Sequence, residues 1–111
     1  MISFAEKTIL ITGAAGGIGR AAALRFASGG ANLALSDLNV LALKKVHDEV
    51  AGMGRQVMSL QTDISDAASC KDTVEQARAR FGSVDHLVHC AGVYPEVMVA
   101  DMTDDEWHRL M

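Results

Sequence analysis

The chain has 111 residues, half of them hydrophobic, and a formal net charge of −4 at pH 7. This length corresponds to about one domain, and the lack of a basic run argues against nucleic acid or an anionic membrane as a partner. No apolar run approaches the roughly 18 residues of a transmembrane helix. Glu6 and Lys7 precede the first apolar run, which breaks into glycines after Thr12, so the N-terminus lacks the basic region and unbroken apolar segment of a signal peptide. We therefore expect a globular cytoplasmic protein whose Cys70 and Cys90 are reduced thiols.

Short apolar runs alternate along the chain with longer segments of helical periodicity. The predicted strands are residues 7–12, 32–36, 56–62 and 84–90. The predicted helices are residues 17–28, a second from the Asn39 cap to Gly52, a third from a Ser65 or Asp66 cap to Gly82, and a fourth beginning at the 103–106 capping box. Strand–helix alternation implies right-handed crossovers, so we predict a three-layer α/β fold of the Rossmann type with parallel strand order 3-2-1-4.

A glycine-rich segment, Thr-Gly-Ala-Ala-Gly-Gly-Ile-Gly at residues 12–19, joins the first strand to the first helix. A bare glycine backbone lets an anion approach, and the N–H groups and dipole of the helix attract it. Asp37 ends the next apolar run, twenty residues beyond Gly17, which is about the offset of the acid that hydrogen-bonds a dinucleotide's ribose. A plain strand–helix turn and a methyltransferase cofactor loop are alternatives, whereas a Walker A loop is excluded because no Gly-Lys-Ser/Thr occurs.

Three motifs in order resemble the short-chain dehydrogenase/reductase family: residues 12–19, Asp63-Ile64-Ser65, and residues 87–92, where that family usually carries Asn-Asn-Ala-Gly. The resemblance covers essentially the whole chain. It implies an NAD(P)-binding domain at residues 1–111, hydride transfer between the nicotinamide and an alcohol or ketone, and a homo-oligomer in the complete protein. The cofactor-binding residues it implies are Gly13, Gly17, Ile18, Gly19, Asp37, Leu38, Asp63, Ile64, Cys90, Ala91 and Gly92.

Acidic residues after the second and third predicted strands indicate which dinucleotide is bound and where its adenine lies. A carboxylate at Asp37 would accept ribose hydroxyl groups and repel a 2′-phosphate, and neither Gly16 nor Leu38 supplies a basic charge, so NAD is favoured over NADP. By resemblance, Asp63 binds the adenine amino group and Ile64 lines the adenine slot. The alternatives are that Asp37 caps the following turn and that Asp63 forms an Asx turn into the third helix.

The fourth strand departs from the family pattern, because His89 and Cys90 replace two asparagines whose side chains tie the strand ends together. We expect no metal site there. His86 and His89 are an odd number of positions apart and point to opposite faces of a strand, and His86 with Cys90 supplies too few ligands for closed zinc coordination.

The reacting residues of the resembled family are a serine, an asparagine, and a tyrosine followed four residues later by a lysine. Here the one tyrosine is Tyr94, and Met98 stands four residues on. We therefore predict no catalytic residue in this chain, which we expect to be the cofactor-binding part of a C-terminally incomplete enzyme, cut after the fourth strand and the start of the fourth helix. A non-catalytic dinucleotide-binding or interaction module is the alternative.

Overall fold

The computed structural model describes residues 3–90. Within them, strands and helices alternate as β1 (Thr8–Thr12), α1 (Gly17–Ser28), β2 (Asn32–Asp37), α2 (Val40–Gly52), β3 (Val57–Gln61), α3 (Ala67–Phe81) and β4 (His86–His89). The strands form one sheet in the order β3-β2-β1-β4, and every pairing is parallel. The predicted α/β layout and strand order are confirmed.

β1 occupies the middle of this sheet, between β2 and β4, and all five of its residues are buried. Alternate residues of the strands feed two hydrophobic clusters on opposite faces. Ile9, Leu33 and Val46 belong to the larger cluster, to which α1 and α2 contribute, and Leu10, Ala34 and Ala77 form the smaller cluster, to which α3 contributes. Helices therefore cover both faces, which is why the central strands are nearly continuous in apolar residues.

The helix ends follow from local chemistry. The Asn39 side chain accepts a hydrogen bond from the Ala42 N–H and so caps α2, as predicted. For α3 the capping residue is Asp66 rather than Ser65, because the Asp66 carboxylate accepts the Ala68 N–H. α3 ends at Gly82, whose φ of +85° is a left-handed conformation that glycine adopts without steric cost.

Strand ends differ slightly from the sequence-based bounds. β2 extends to Asp37 because that residue still pairs in register with Gln61 of β3. β4 is shorter than predicted and runs only over His86–His89, the four residues that pair with Ile9–Thr12 of β1. Within residues 3–90, no helix combines the length and the hydropathy needed to cross a membrane.

Candidate cofactor site

The glycine-rich turn at residues 13–16 lies at the carboxyl end of β1 and leads directly into α1. Gly13 adopts a φ of +70°, a left-handed conformation that favours glycine, and its carbonyl oxygen accepts the Gly16 N–H at 3.2 Å. The Ala14 N–H donates to the Ser36 carbonyl oxygen at 3.1 Å, which ties the turn to the end of β2. The N-terminus of α1 therefore lies at the carboxyl edge of the sheet, and helix N-termini carry unpaired N–H groups that favour anions.

Packing within the described residues requires glycine at position 19 but not at position 17. A Cβ on Gly19 would overlap the Gly13 carbonyl oxygen and lie 2.8 Å from the Ala14 Cα, so only glycine lets α1 pack against the turn. A Cβ on Gly17 would meet no described atom within 4 Å, and the φ of Gly17 is not left-handed. The packing of residues 3–90 thus requires glycine at position 19 and leaves open space at position 17.

A cleft of about 210 Å³ begins beside this turn at the carboxyl ends of β2 and β3. It contains five of the predicted residues and two others, and its lining consists of Gly13, Ser36, Asp37, Leu38, Thr62, Asp63 and Ile64. Parallel strands bring their carboxyl ends to one edge, which explains how residues some fifty positions apart in the chain meet here.

Asp37 lies between the turn and the cleft, and its carboxylate accepts two backbone N–H groups. Oδ2 accepts from Ala15 in the glycine-rich turn at 3.0 Å, and Oδ1 accepts from Asn39 at the start of α2 at 2.9 Å. The second contact is the turn-capping interaction that the sequence left as an alternative. A carboxylate has about four acceptor positions, so each oxygen keeps capacity for one further donor.

Asp63 forms the Asx turn that was the alternative for this residue. Its Oδ1 accepts both the N–H and the hydroxyl of Ser65, at 3.0 and 2.6 Å, and these bonds lower the pKa of the Asp63 carboxyl. The Ser69 hydroxyl accepts the Asp63 N–H at 3.1 Å, and the Cys70 thiol lies 3.7 Å from the Ile64 carbonyl oxygen. The wall of the cleft is therefore held in place by α3.

Ser36 and Thr62 are the cleft residues that sequence reasoning missed. The Thr62 and Thr73 hydroxyl groups form a buried hydrogen bond of 2.5 Å. The Ser36 hydroxyl is buried and has no hydrogen-bond partner among residues 3–90. A signal was present in the sequence, since both are polar residues directly preceding the two acids Asp37 and Asp63.

Two of the predicted cofactor-binding residues, Ile18 and Leu38, are largely exposed. Ile18 in the first turn of α1 is 79% exposed, and Leu38 at the mouth of the cleft is 63% exposed. Arg20, also in the first turn of α1, is half-exposed and forms a bidentate ion pair with Glu49 of α2. Its guanidinium is thus engaged across the α1–α2 contact.

His89 and Cys90, the two positions that depart from the resembled family pattern, both make hydrogen bonds at the strand ends. Nδ1 of His89 and the Thr12 hydroxyl are hydrogen-bonded at 2.6 Å, and the Cys90 N–H donates to the Thr12 carbonyl oxygen at 3.0 Å. His89 therefore joins the carboxyl ends of β4 and β1 through an imidazole. The predicted residues Ala91 and Gly92, Tyr94 and the helix expected after residue 103 lie outside the described residues.

Both cysteines of the chain lie in the described part, and neither forms a disulfide. Burial raises the pKa of the Cys90 thiol. Residues 3–90 contain no group of three or more histidine, cysteine, aspartate or glutamate side chains arranged to hold a metal ion.

Acid should destabilise the chain through His89. Burial lowers the pKa of this imidazole, so the unfolded chain binds its proton more readily than the folded chain. The free energy of unfolding is thus unaffected by His89 above the imidazole pKa of the unfolded chain, about 6.5. It decreases as the pH falls below that value toward the lower pKa of His89 in the folded chain. We expect the wild type to lose more unfolding free energy than His89→Asn between pH 7.5 and 5, as measured by urea denaturation. Equal losses would contradict this assignment.

Similarity to known proteins agrees with this geometry. A family model described as short chain dehydrogenase matches residues 7–111. The chain belongs to the short-chain dehydrogenase/reductase family. The protein named short chain dehydrogenase/reductase dpmpG, from Macrophomina phaseolina, is 38% identical over 111 positions that cover 98% of this chain and 63% of that protein.

Two solved structures are similar to the chain in sequence and fold. NAD⁺-bound xylitol dehydrogenase is 38% identical with a TM-score of 0.74, and the match covers 76% of this chain and 32% of that one. A blue fluorescent protein from a metagenomic library, in complex with NADPH, is 30% identical with a TM-score of 0.78 over 98% of this chain and 45% of that one. The chain spans less than two thirds of the length of each of these three proteins.

Proposed function

We propose that this chain binds NAD(H) for an oxidoreductase that transfers hydride between the nicotinamide and an alcohol or ketone. The observation that carries this proposal is the position of the Asp37 carboxylate, between the glycine-rich turn and the cleft. Its two remaining acceptor positions fit the two hydroxyl groups of an adenosine ribose. The turn and the N-terminus of α1 would receive the diphosphate, and Gly17 leaves open space on that path.

The cleft suits the adenine. Its volume of about 210 Å³ is below that of typical pockets for whole drug-sized ligands, which are roughly 300–1,000 Å³, so it fits one part of a dinucleotide. Leu38 and Ile64 offer apolar surface to a flat ring, and the carboxylate of Asp63 offers an acceptor for an exocyclic amino group.

NAD is proposed over NADP on electrostatic grounds. A 2′-phosphate would lie against the Asp37 carboxylate, and like charges in contact repel each other. Arg20, the basic residue in the first turn of α1, is held by Glu49. The relatives include both an NAD⁺-bound and an NADPH-bound structure, so the preference rests on these residues of this chain.

The bound cofactor supplies or accepts the hydride, and we assign only binding and orientation to residues of this chain. The tyrosine–lysine pair by which the family moves the proton is absent from residues 1–111, where Met98 stands four residues after Tyr94, the one tyrosine. An alcohol or ketone substrate, a cytoplasmic location and homo-oligomerisation of the complete protein are proposed from family membership.

Gly17→Ala should weaken NAD⁺ binding at least about tenfold while leaving the fold intact. The added methyl group would occupy the space that the diphosphate needs, whereas it meets no described atom of the protein. Isothermal titration of the chain with NAD⁺, NADP⁺ and S-adenosylmethionine measures the effect and the ligand preference together.

Gly52→Ala is the matched control, because a Cβ at this position near the end of α2 also meets nothing within 4 Å and lies outside the cleft. It should bind NAD⁺ like the wild type. A wild-type chain that binds no nicotinamide dinucleotide would contradict the proposal. Formation of NADH with a panel of alcohols would contradict the assignment of binding alone.

A further inference from the structure

Two consecutive amides of the glycine-rich turn are bound to the end of β2, but by different means. The Ala14 N–H donates to the backbone carbonyl oxygen of Ser36, a contact that no side-chain substitution removes. The Ala15 N–H donates to Oδ2 of Asp37 at 3.0 Å. The conformation of the second amide therefore depends on the side chain at position 37.

The same carboxylate is itself held from the opposite side. Its Oδ1 accepts the Asn39 N–H at 2.9 Å, and the Asn39 side chain caps α2 by accepting the Ala42 N–H at 3.1 Å. The Asp37 carbonyl oxygen also accepts the N–H of Thr62, the residue that follows β3. Because both oxygens are hydrogen-bonded, the side chain has less rotamer freedom to lose on binding and gives the turn a firmer support.

We propose that Asp37 is a positioning residue for the glycine-rich turn, holding Ala15 so that the turn is shaped for a diphosphate before any ribose is bound. This rests on the proposed function for the ligand, but the contact with Ala15 exists within the chain alone. Asp37 would then support binding of the diphosphate as well as recognise the ribose.

Two substitutions separate the effect of the Asp37 charge from the effect of its hydrogen bond to the Ala15 N–H. The negative charge of Asp37 repels a diphosphate, so its removal by itself favours anion binding, whereas loss of the acceptor releases Ala15. Asp37→Asn and Asp37→Ala remove the same charge. Only asparagine keeps an oxygen of similar position that can accept the Ala15 N–H.

The test compares these two variants with a probe that lacks the ribose hydroxyl groups, 2′,3′-dideoxyadenosine 5′-diphosphate. We expect the asparagine variant to bind it about five times more tightly than the alanine variant, since a backbone hydrogen bond is kept in one and lost in the other. If Asp37 acts only on ribose hydroxyl groups, the two variants will bind the probe equally, and the positioning role is overturned.

Amide hydrogen exchange of the cofactor-free chain gives a readout independent of any ligand. Exchange at Ala15 should be slowest in the wild type, intermediate in Asp37→Asn and fastest in Asp37→Ala. Asp66→Ala, which removes the cap of α3, should destabilise the fold without a selective change at Ala15. Equal exchange at Ala15 in the wild type and both Asp37 variants overturns the positioning role, whereas a wild-type chain that binds no NAD⁺ overturns only the proposed function.

Discussion

Gly19→Ala is expected to lower the free energy of unfolding by about 3 kcal/mol or more, at the upper end of overpacking effects. The new Cβ would overlap the Gly13 carbonyl oxygen and approach the Ala14 Cα to 2.8 Å. Both neighbours are backbone atoms of a turn that is itself hydrogen-bonded to β2, so they cannot move away like the end of a flexible side chain. Urea denaturation followed by circular dichroism measures the loss.

The comparison for this variant is Gly17→Ala, two positions earlier in the same helix. There the Cβ meets open space, and alanine lowers the entropy of the unfolded chain, so stability should be unchanged or increase by up to about 1 kcal/mol. Similar losses at both positions would mean that the contact between α1 and the turn is looser than the structure indicates.

Asp37→Arg is expected to change the ratio of NAD⁺ to NADP⁺ affinity by about 100-fold in favour of NADP⁺. The substitution removes hydrogen bonds from ribose hydroxyl groups to a carboxylate, each worth about 1.5–3 kcal/mol, and replaces repulsion of a 2′-phosphate by attraction. Titration of both cofactors against the chain measures the ratio.

Arginine at position 37 also removes the acceptor for the Ala15 N–H, so the gain in NADP⁺ affinity should fall short of the loss in NAD⁺ affinity. Asp72→Arg on the exposed face of α3 makes the same change in net charge away from the cleft and should leave the ratio unaltered. An unchanged ratio in Asp37→Arg would refute a ribose contact at this residue.

Much of the fold was predictable because its signals are local. Periodicity separates strands from helices within a few residues, and a cap such as Asn39 acts on an N–H three positions away. The strand order follows from the alternation of elements and the handedness of their connections. Where local signals were degenerate, as between Ser65 and Asp66 for the cap of α3, the structure was needed to choose between them.

The sequence allowed most residues of the candidate site to be predicted, but it did not decide which contacts they make. Asp37 and Asp63 were recognisable by their positions after apolar strands, but the alternatives for each were open. In the structure both acids make the turn contacts proposed as alternatives, and both still line the cleft, so the two interpretations are compatible. Ser36 and Thr62 were overlooked, although each directly precedes one of the two acids, because a small hydroxyl residue at a strand end follows no spacing rule of its own.

The sequence by itself determined the alternation of elements, the glycine-rich turn and the acid that follows the second strand, since each depends on residues close together in the chain. Only the tertiary structure decided which distant groups meet. The Ala15 N–H bonds to an aspartate 22 residues away, and the Thr12 hydroxyl bonds to a histidine 77 residues away. These contacts depend on the register of neighbouring parallel strands, and register is set by packing across the whole sheet rather than by any one segment.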